Sequence, residues 1–159
     1  LHPAAGMILV DGAGERTLAE CRQYVGHRDG LKAALTAEEN LTFARDFLGN
    51  PDLLPREALE AVGLAHAARL PVAYLSAGQR RRVALARLLV ARRPLWLLDE
   101  PTSALDTASQ ETLRLLLESH RENSGMIAAT THSPLFLTDA KEIRIERSLS
   151  PSTLAGAGA

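Results

Sequence analysis

Two carboxylates in a row, Asp99 and Glu100, close the apolar run Leu95-Trp96-Leu97-Leu98, which puts both at the end of a buried strand. Phosphoryl transfer needs such a division of labour. One carboxylate stays ionised and oriented to hold a divalent cation, while its neighbour faces and polarises the attacking water. Upstream, Leu75-Ser76-Ala77-Gly78-Gln79 opens a helix. A small hydroxyl residue followed by glycine at a helix start makes an anion site, because unpaired backbone N–H groups and the positive end of the helix dipole point at one place. Ser76 can cap that helix, Gly78 lets a phosphate approach the backbone, and Arg80, Arg81 and Arg82 add positive potential. His132 follows the apolar stretch Met126 to Thr131, where an imidazole can donate to a phosphate or stabilise a transition state. Each feature alone also has an ordinary reading, as a capped helix, a strand-end acid pair or a surface histidine. Placed on the next strand of a parallel sheet, His132 falls at the same sheet edge as Asp99 and Glu100.

The elements that must position these residues follow from pattern and punctuation. Met7 to Val10, closed by Asp11-Gly12, reads as a short strand, and Gln23 to Gly26 as a second. Thr36 and Glu39 form a T-x-x-E capping box for a helix through Leu48, with Leu41, Ala44, Phe47 and Leu48 along one face. Pro55 suits the first turn of a helix through Leu64. A long helix is expected from about Ala77 to Arg92, stopped by Pro94, before the strand Leu95 to Leu98, buried on both faces. Asp106 or Thr107 caps the next helix, which carries Leu113, Leu116 and Leu117 and ends at Gly125. Met126 to Thr131 is the following strand, and Ile143 and Ile145 alternate with charge as an edge strand would. From Ser148 onward the Ser/Pro/Gly/Ala tail, residues 148–159, is expected to be disordered. Strand and helix alternate in the second half around a purely helical insert from about Thr36 to Tyr74. That order predicts an α/β domain over 1–147, with a mostly parallel sheet and a helical subdomain at 36–74.

A chain of 159 residues suffices for one domain with its own core. The net charge of −1 supplies no electrostatic footprint for nucleic acid. Cys21 is the single cysteine, so no internal disulfide can form, which fits a reducing compartment. No apolar run approaches the roughly 20 residues that span a bilayer, the stretch from Val83 to Ala91 being interrupted by Arg87. No basic segment leads into an apolar one as in a signal peptide. Any contact with a membrane is therefore expected to pass through partner chains.

The ordered set L-S-A-G-Q, L-W-L-L-D-E-P, S-A-L-D and T-T-H resembles the nucleotide-binding subunit of ABC ATPases, from Pro3-Ala4-Ala5-Gly6 to about Arg147. The resemblance implies a P-loop NTPase-like fold, ATP and Mg²⁺ as cofactors, and hydrolysis coupled to transport. It implies that Leu75, Ser76, Ala77, Gly78 and Gln79 are the signature that meets the γ-phosphate of ATP held by a second subunit. Asp99 would be the Walker B metal ligand, Glu100 the catalytic glutamate, Asp106 part of the D-loop and His132 the switch histidine. Partners would be a second ATP-binding subunit and transmembrane transporter subunits, docked through the helical insert, at the cytoplasmic face of the bacterial inner membrane.

Two departures stand out. No G-x-x-x-x-G-K-[ST] occurs, and the family places that loop upstream of the strand at Met7. With Leu1 at its start, the sequence is expected to be an N-terminally truncated copy that lacks Walker A and would not by itself bind or hydrolyse ATP well. Where the family usually has a glutamine after the second strand, Tyr24-Val25-Gly26-His27 supplies His27, and Gln23 reads as a strand residue. The run Y-V-G-H-R-D-G-L-K and the start L-T-A-E-E-N-L are similar to ATP-binding subunits of the haem exporter of cytochrome c maturation. A solvated loop histidine is the plainer reading of His27. Two alternatives compete with haem export: an ABC ATPase for another solute, and a non-catalytic ABC-like interaction module. A DNA-acting ABC ATPase would interrupt the sheet with long coiled coils, where this sequence has a compact insert.

Overall fold

A computed structural model of the chain describes residues 10–11, 14–132, 134–135, 137 and 140–145. The expected strand at Met7 to Val10, apart from Val10 itself, and the tail from Ser148 lie outside them.

Three parallel strands in the order β1-β2-β3 form the sheet: β1 (Arg22–Val25), β2 (Leu95–Asp99) and β3 (Met126–Thr130). A short helix, α1 (Leu18–Cys21), leads into β1 from a Thr17/Glu20 capping box. β1 begins and ends one residue before the expected strand. Gln23 and Val25 point inward along it and Tyr24 outward, as a period of two requires. Parallel pairing aligns Leu95 with both Arg22 and Met126, and Asp99 with Thr130.

Between β1 and β2 the chain is helical. Thr36 caps α2 (Ala37–Leu48), its hydroxyl accepting the Glu39 N–H while the Glu39 carboxylate accepts the Thr36 N–H. Pro55 opens α3 (Pro55–Ala61), which stops short of Leu64 because Gly63 turns the chain at φ +69°. Single 3₁₀ turns at Ala65–Ala67 and Val72–Tyr74 lead to α4 (Ala77–Ala86). That helix was expected to reach Arg92. It tightens instead into a 3₁₀ turn at Arg87–Leu89, where its last carbonyls are taken from outside. The Gln23 amide donates to the Arg87 carbonyl, and the Leu53 and Asp52 N–H groups donate to those of Leu89 and Val90. α5 (Thr107–Glu122) returns the chain antiparallel to the sheet, and Ser124 at φ +63° turns it into β3.

Two apolar clusters meet at α4. One joins Leu41 and Ala44 of α2, Ala58 and Leu59 of α3, and Val72 to Val83 and Ala86. The other joins Val25, Trp96 and Leu98 of the sheet to Ala84, Leu85 and Leu88, and to Leu113 and Leu117 of α5. Three expectations change here. β2 is buried on the face of Trp96 and Leu98 alone, where the helices pack, while Leu95 and Leu97 stay half-buried. Phe47 does not join the inward face of α2. It is 78% exposed and stacks on Phe43 one turn back, with ring centroids 6.0 Å apart. Ile143 and Ile145 form no strand and are exposed.

Candidate active site

Strand register does the first part of the work. Because Asp99 lies opposite Thr130, the threonine hydroxyl donates to Asp99 Oδ1 at 2.6 Å. That bond, chiefly, holds the Asp99 carboxyl below its ordinary range, with the His27 backbone N–H and the Arg81 charge acting the same way. Asp99 therefore stays ionised at neutral pH. His27 itself is an exposed loop residue that acts on the carboxylate through its backbone N–H and, more weakly, through the charge of its ring.

Glu100 follows in a left-handed backbone conformation, φ +47°, which costs a non-glycine residue about 1–3 kcal/mol unless its surroundings over-determine it. They do so from both ends of the residue. Its N–H donates to the Thr130 carbonyl at 2.9 Å, and its own carbonyl accepts Arg81 Nη2 at 2.8 Å. The side chain then turns toward β3, where Oε2 accepts the His132 N–H at 3.3 Å and Oε1 lies 3.4 Å from His132 Nε2. The histidine is 96% exposed and the glutamate 26%, so both reach solvent from the end of the sheet. Asp99, Glu100 and His132 are thus brought together, with His27 at their edge.

The other expected residues lie along α4 and before α5. Ser76 caps α4 by accepting the Gln79 N–H at 3.2 Å, and the Gln79 amide oxygen accepts the Ser76 N–H at 2.9 Å. Ser76 and Ala77 are exposed at the helix start, whereas the Leu75 side chain is buried in the helical cluster. Gly78 faces the turn before α5: a Cβ there would stand 2.9 Å from the Ala104 carbonyl oxygen. Asp106, not Thr107, caps α5, accepting the Ser109 N–H at 2.8 Å. Bonds to the Ser109 side chain and backbone pull its pKa down.

The arginine triplet differs from expectation. Arg80 turns to the Leu75 carbonyl and Arg82 to that of Val62, while Arg81 is 3% exposed and points under the end of β2. A helix rotates by about 100° per residue, so three successive arginines cannot share one face. Thr130 and Arg81 were both missed as site residues. The parallel register, once assumed, places Thr130 opposite Asp99. Nothing in the sequence marks which arginine of three turns inward.

No group of three or more His, Cys, Asp and Glu side chains able to hold a metal occurs among the described residues. An ionised single carboxylate such as Asp99 matches the way Mg²⁺ is bound, by one or two carboxylates with water and phosphate oxygens completing the shell.

With this geometry in view, residues 1–103 match the family model described as ABC transporter. The chain belongs to the ABC transporter family. It is 59% identical over 147 residues to the cytochrome c biogenesis ATP-binding export protein CcmA of Rhodopseudomonas palustris (strain BisB5), with 91% of this chain and 72% of that protein aligned. The protein of that name from Bradyrhizobium diazoefficiens is 54% identical over 146 residues, at the same coverages. Among solved ABC structures, a post-hydrolysis dimer of the ATP-binding cassette MJ0796 bound to ADP and Pi superposes with a TM-score of 0.65 at 30% identity. That match covers 72% of this chain and 53% of the cassette, so the chain spans about half of the solved ABC structure.

Proposed function

We propose that this chain carries the signature, Walker B, D-loop and switch-histidine part of an ATP-hydrolysing export subunit. Its work would be c-type cytochrome biogenesis, with haem as cargo. The observation that carries the reading is the meeting of Asp99, Glu100 and His132 at one end of a parallel sheet, with Glu100 held between Thr130 and His132. The cargo is inferred from the relatives' role in cytochrome c biogenesis and from the run Tyr24-Val25-Gly26-His27.

In this reading Mg²⁺ supplies charge neutralisation for the β- and γ-phosphates when bound, and Asp99 is its protein ligand. Glu100 orients and polarises the attacking water through a carboxylate whose position the backbone bonds over-determine. His132, exposed beside it, donates to the γ-phosphoryl group as charge builds there. Ser76 with the first-turn N–H groups of α4 receives the γ-phosphate of a nucleotide bound to a second subunit, so the working unit is a dimer. Gln79 enters by fixing Ser76, and Asp106 by holding the turn against which Gly78 packs. No helix among the described residues is long and apolar enough to cross a membrane. The helical segment between Thr36 and Tyr74 is proposed to dock transmembrane subunits at the cytoplasmic face of the inner membrane.

The test tags the protein at its own gene, isolates the native complex from membranes and compares it with Glu100→Gln. Retained ATP binding with turnover lowered about 10²–10⁴-fold is expected for loss of a general base. Unchanged turnover sinks the catalytic assignment. Cells carrying Glu100→Gln should also lose c-type cytochromes, and normal cytochrome content would overturn the assignment of cargo.

A further inference from the structure

Arg81 is the most heavily bonded side chain in the described structure. Its side chain is 3% exposed and reaches two separate segments of the chain, the loop after β1 and the end of β2. Nη2 donates to the Asp99 and Glu100 carbonyls, each at 2.8 Å. Nη1 donates to the Gly26 carbonyl at 2.7 Å and to Asp29 Oδ1 at 3.3 Å, and Nε reaches the Pro101 carbonyl at 3.4 Å. A lone buried guanidinium is costly unless its donors are met. Here four backbone carbonyls and one carboxylate meet them.

The places those acceptors occupy matter as much as their number. Asp99, Glu100 and Pro101 carry the end of β2, including the residue held at φ +47°. Gly26 and Asp29 flank His27, whose N–H meets Asp99. Arg81 itself sits one turn beyond Ser76, on the helix whose Gly78 packs against Ala104. The start of α4, the loop after β1 and the carboxylate pair are therefore fastened to one planar group. A displacement of α4 would act on the Glu100 carbonyl through this guanidinium.

We propose that Arg81 is a positioning residue for ATP hydrolysis. It holds the Glu100 backbone in its left-handed conformation and ties the placement of that carboxylate to the signature helix. The proposal rests on the reading of Glu100 as the group that polarises water. Lysine cannot substitute, since a point charge with three donors on a flexible stem cannot meet five acceptors on two segments at once.

The experiment uses the native complex with Arg81→Lys, Glu100→Gln and the double variant, each checked for folding by circular dichroism and thermal melting. Arg81→Lys should lower kcat about 10–100-fold, the penalty for a misplaced catalytic group, and leave KM for ATP within about twofold. In the Glu100→Gln background Arg81→Lys should cost nothing further in single-turnover rate, because it acts through the group already removed. Additive losses, or a raised KM with kcat unchanged, overturn the proposal. Should Arg81→Lys not fold, the same cycle is run on Asp29→Asn, which keeps the four carbonyl bonds and loosens only the outer anchor. A smaller loss of kcat, again absent with Glu100→Gln, is then expected, and additivity overturns it. If the unsubstituted complex shows no ATP hydrolysis, the proposed function fails. If it hydrolyses ATP and Arg81→Lys matches it, the role of Arg81 alone fails.

Discussion

Gly78 has two reasons to be glycine, and they are separable. Near the start of a helix it would leave room for the proposed anion, and it leaves room for the Ala104 carbonyl, which a Cβ would approach to 2.9 Å. The intruding atom is backbone, on a residue already at φ +61°, so it has little freedom to yield. Gly78→Ala is accordingly expected to destabilise the isolated chain by about 1–3 kcal/mol, with no nucleotide present. Urea unfolding measures this. An unchanged midpoint would mean that the turn before α5 gives way and that Gly78 serves only ligand access.

Helix starts contribute to the acid sensitivity of this fold, alongside Asp99 at the end of β2. The side chains of Glu39 and Asp106 both accept hydrogen bonds from backbone N–H groups at caps, Glu39 chiefly from the Thr36 backbone and Asp106 from the Ser109 side chain and backbone. Both pKa values are lowered on folding, so the unfolded chain binds their protons more tightly. Their contribution is complete above the unfolded carboxylate range and is lost as pH falls through the lower folded values. Urea midpoints should fall over that acid interval. Asp106→Asn, which keeps an acceptor but cannot titrate, should remove its share of the slope; an identical slope would place the sensitivity elsewhere. The Thr36 cap itself is worth about 1 kcal/mol, so Thr36→Ala should lower stability by that amount at neutral pH. That helix start was readable from T-x-x-E because a capping box is local in sequence. The early end of α4 was not readable, because its last carbonyls are claimed by Gln23 and by the Asp52–Leu53 segment, both distant in sequence.

Across the molecule, α4 belongs to both apolar clusters, giving Val83 and Ala86 to the helical one and Ala84 and Leu85 to the sheet. A helix shared in this way cannot lose one set of contacts and keep the other intact. Leu41→Ala, at a fully buried position of the helical cluster, should cost about 2–5 kcal/mol. It should also shift the fluorescence transition of Trp96, which lies in the sheet cluster, as far as the circular-dichroism transition. Two separate transitions would show that the clusters unfold independently.

Read alone, the sequence determined what is local or periodic: the caps at Thr36 and Ser76, the apolar strand ending in Asp99-Glu100, the next strand leading to His132, and the α/β class that follows from their order. These depend on hydrogen bonds and faces a few residues apart, and the ABC motifs are themselves local strings. Tertiary structure decided what depends on distant partners. It paired Asp99 with Thr130 through parallel register, took Arg81 out of an apparently basic patch and set it under Glu100, and filled the space beside Gly78 with Ala104. It also left Phe47 outside the core, since the period of a helix says which side chains align but not how far the wall opposite extends. The carboxylates could be read from the chain; the groups that hold them in place could not, because a buried donor is specified by acceptors that only folding brings within its reach.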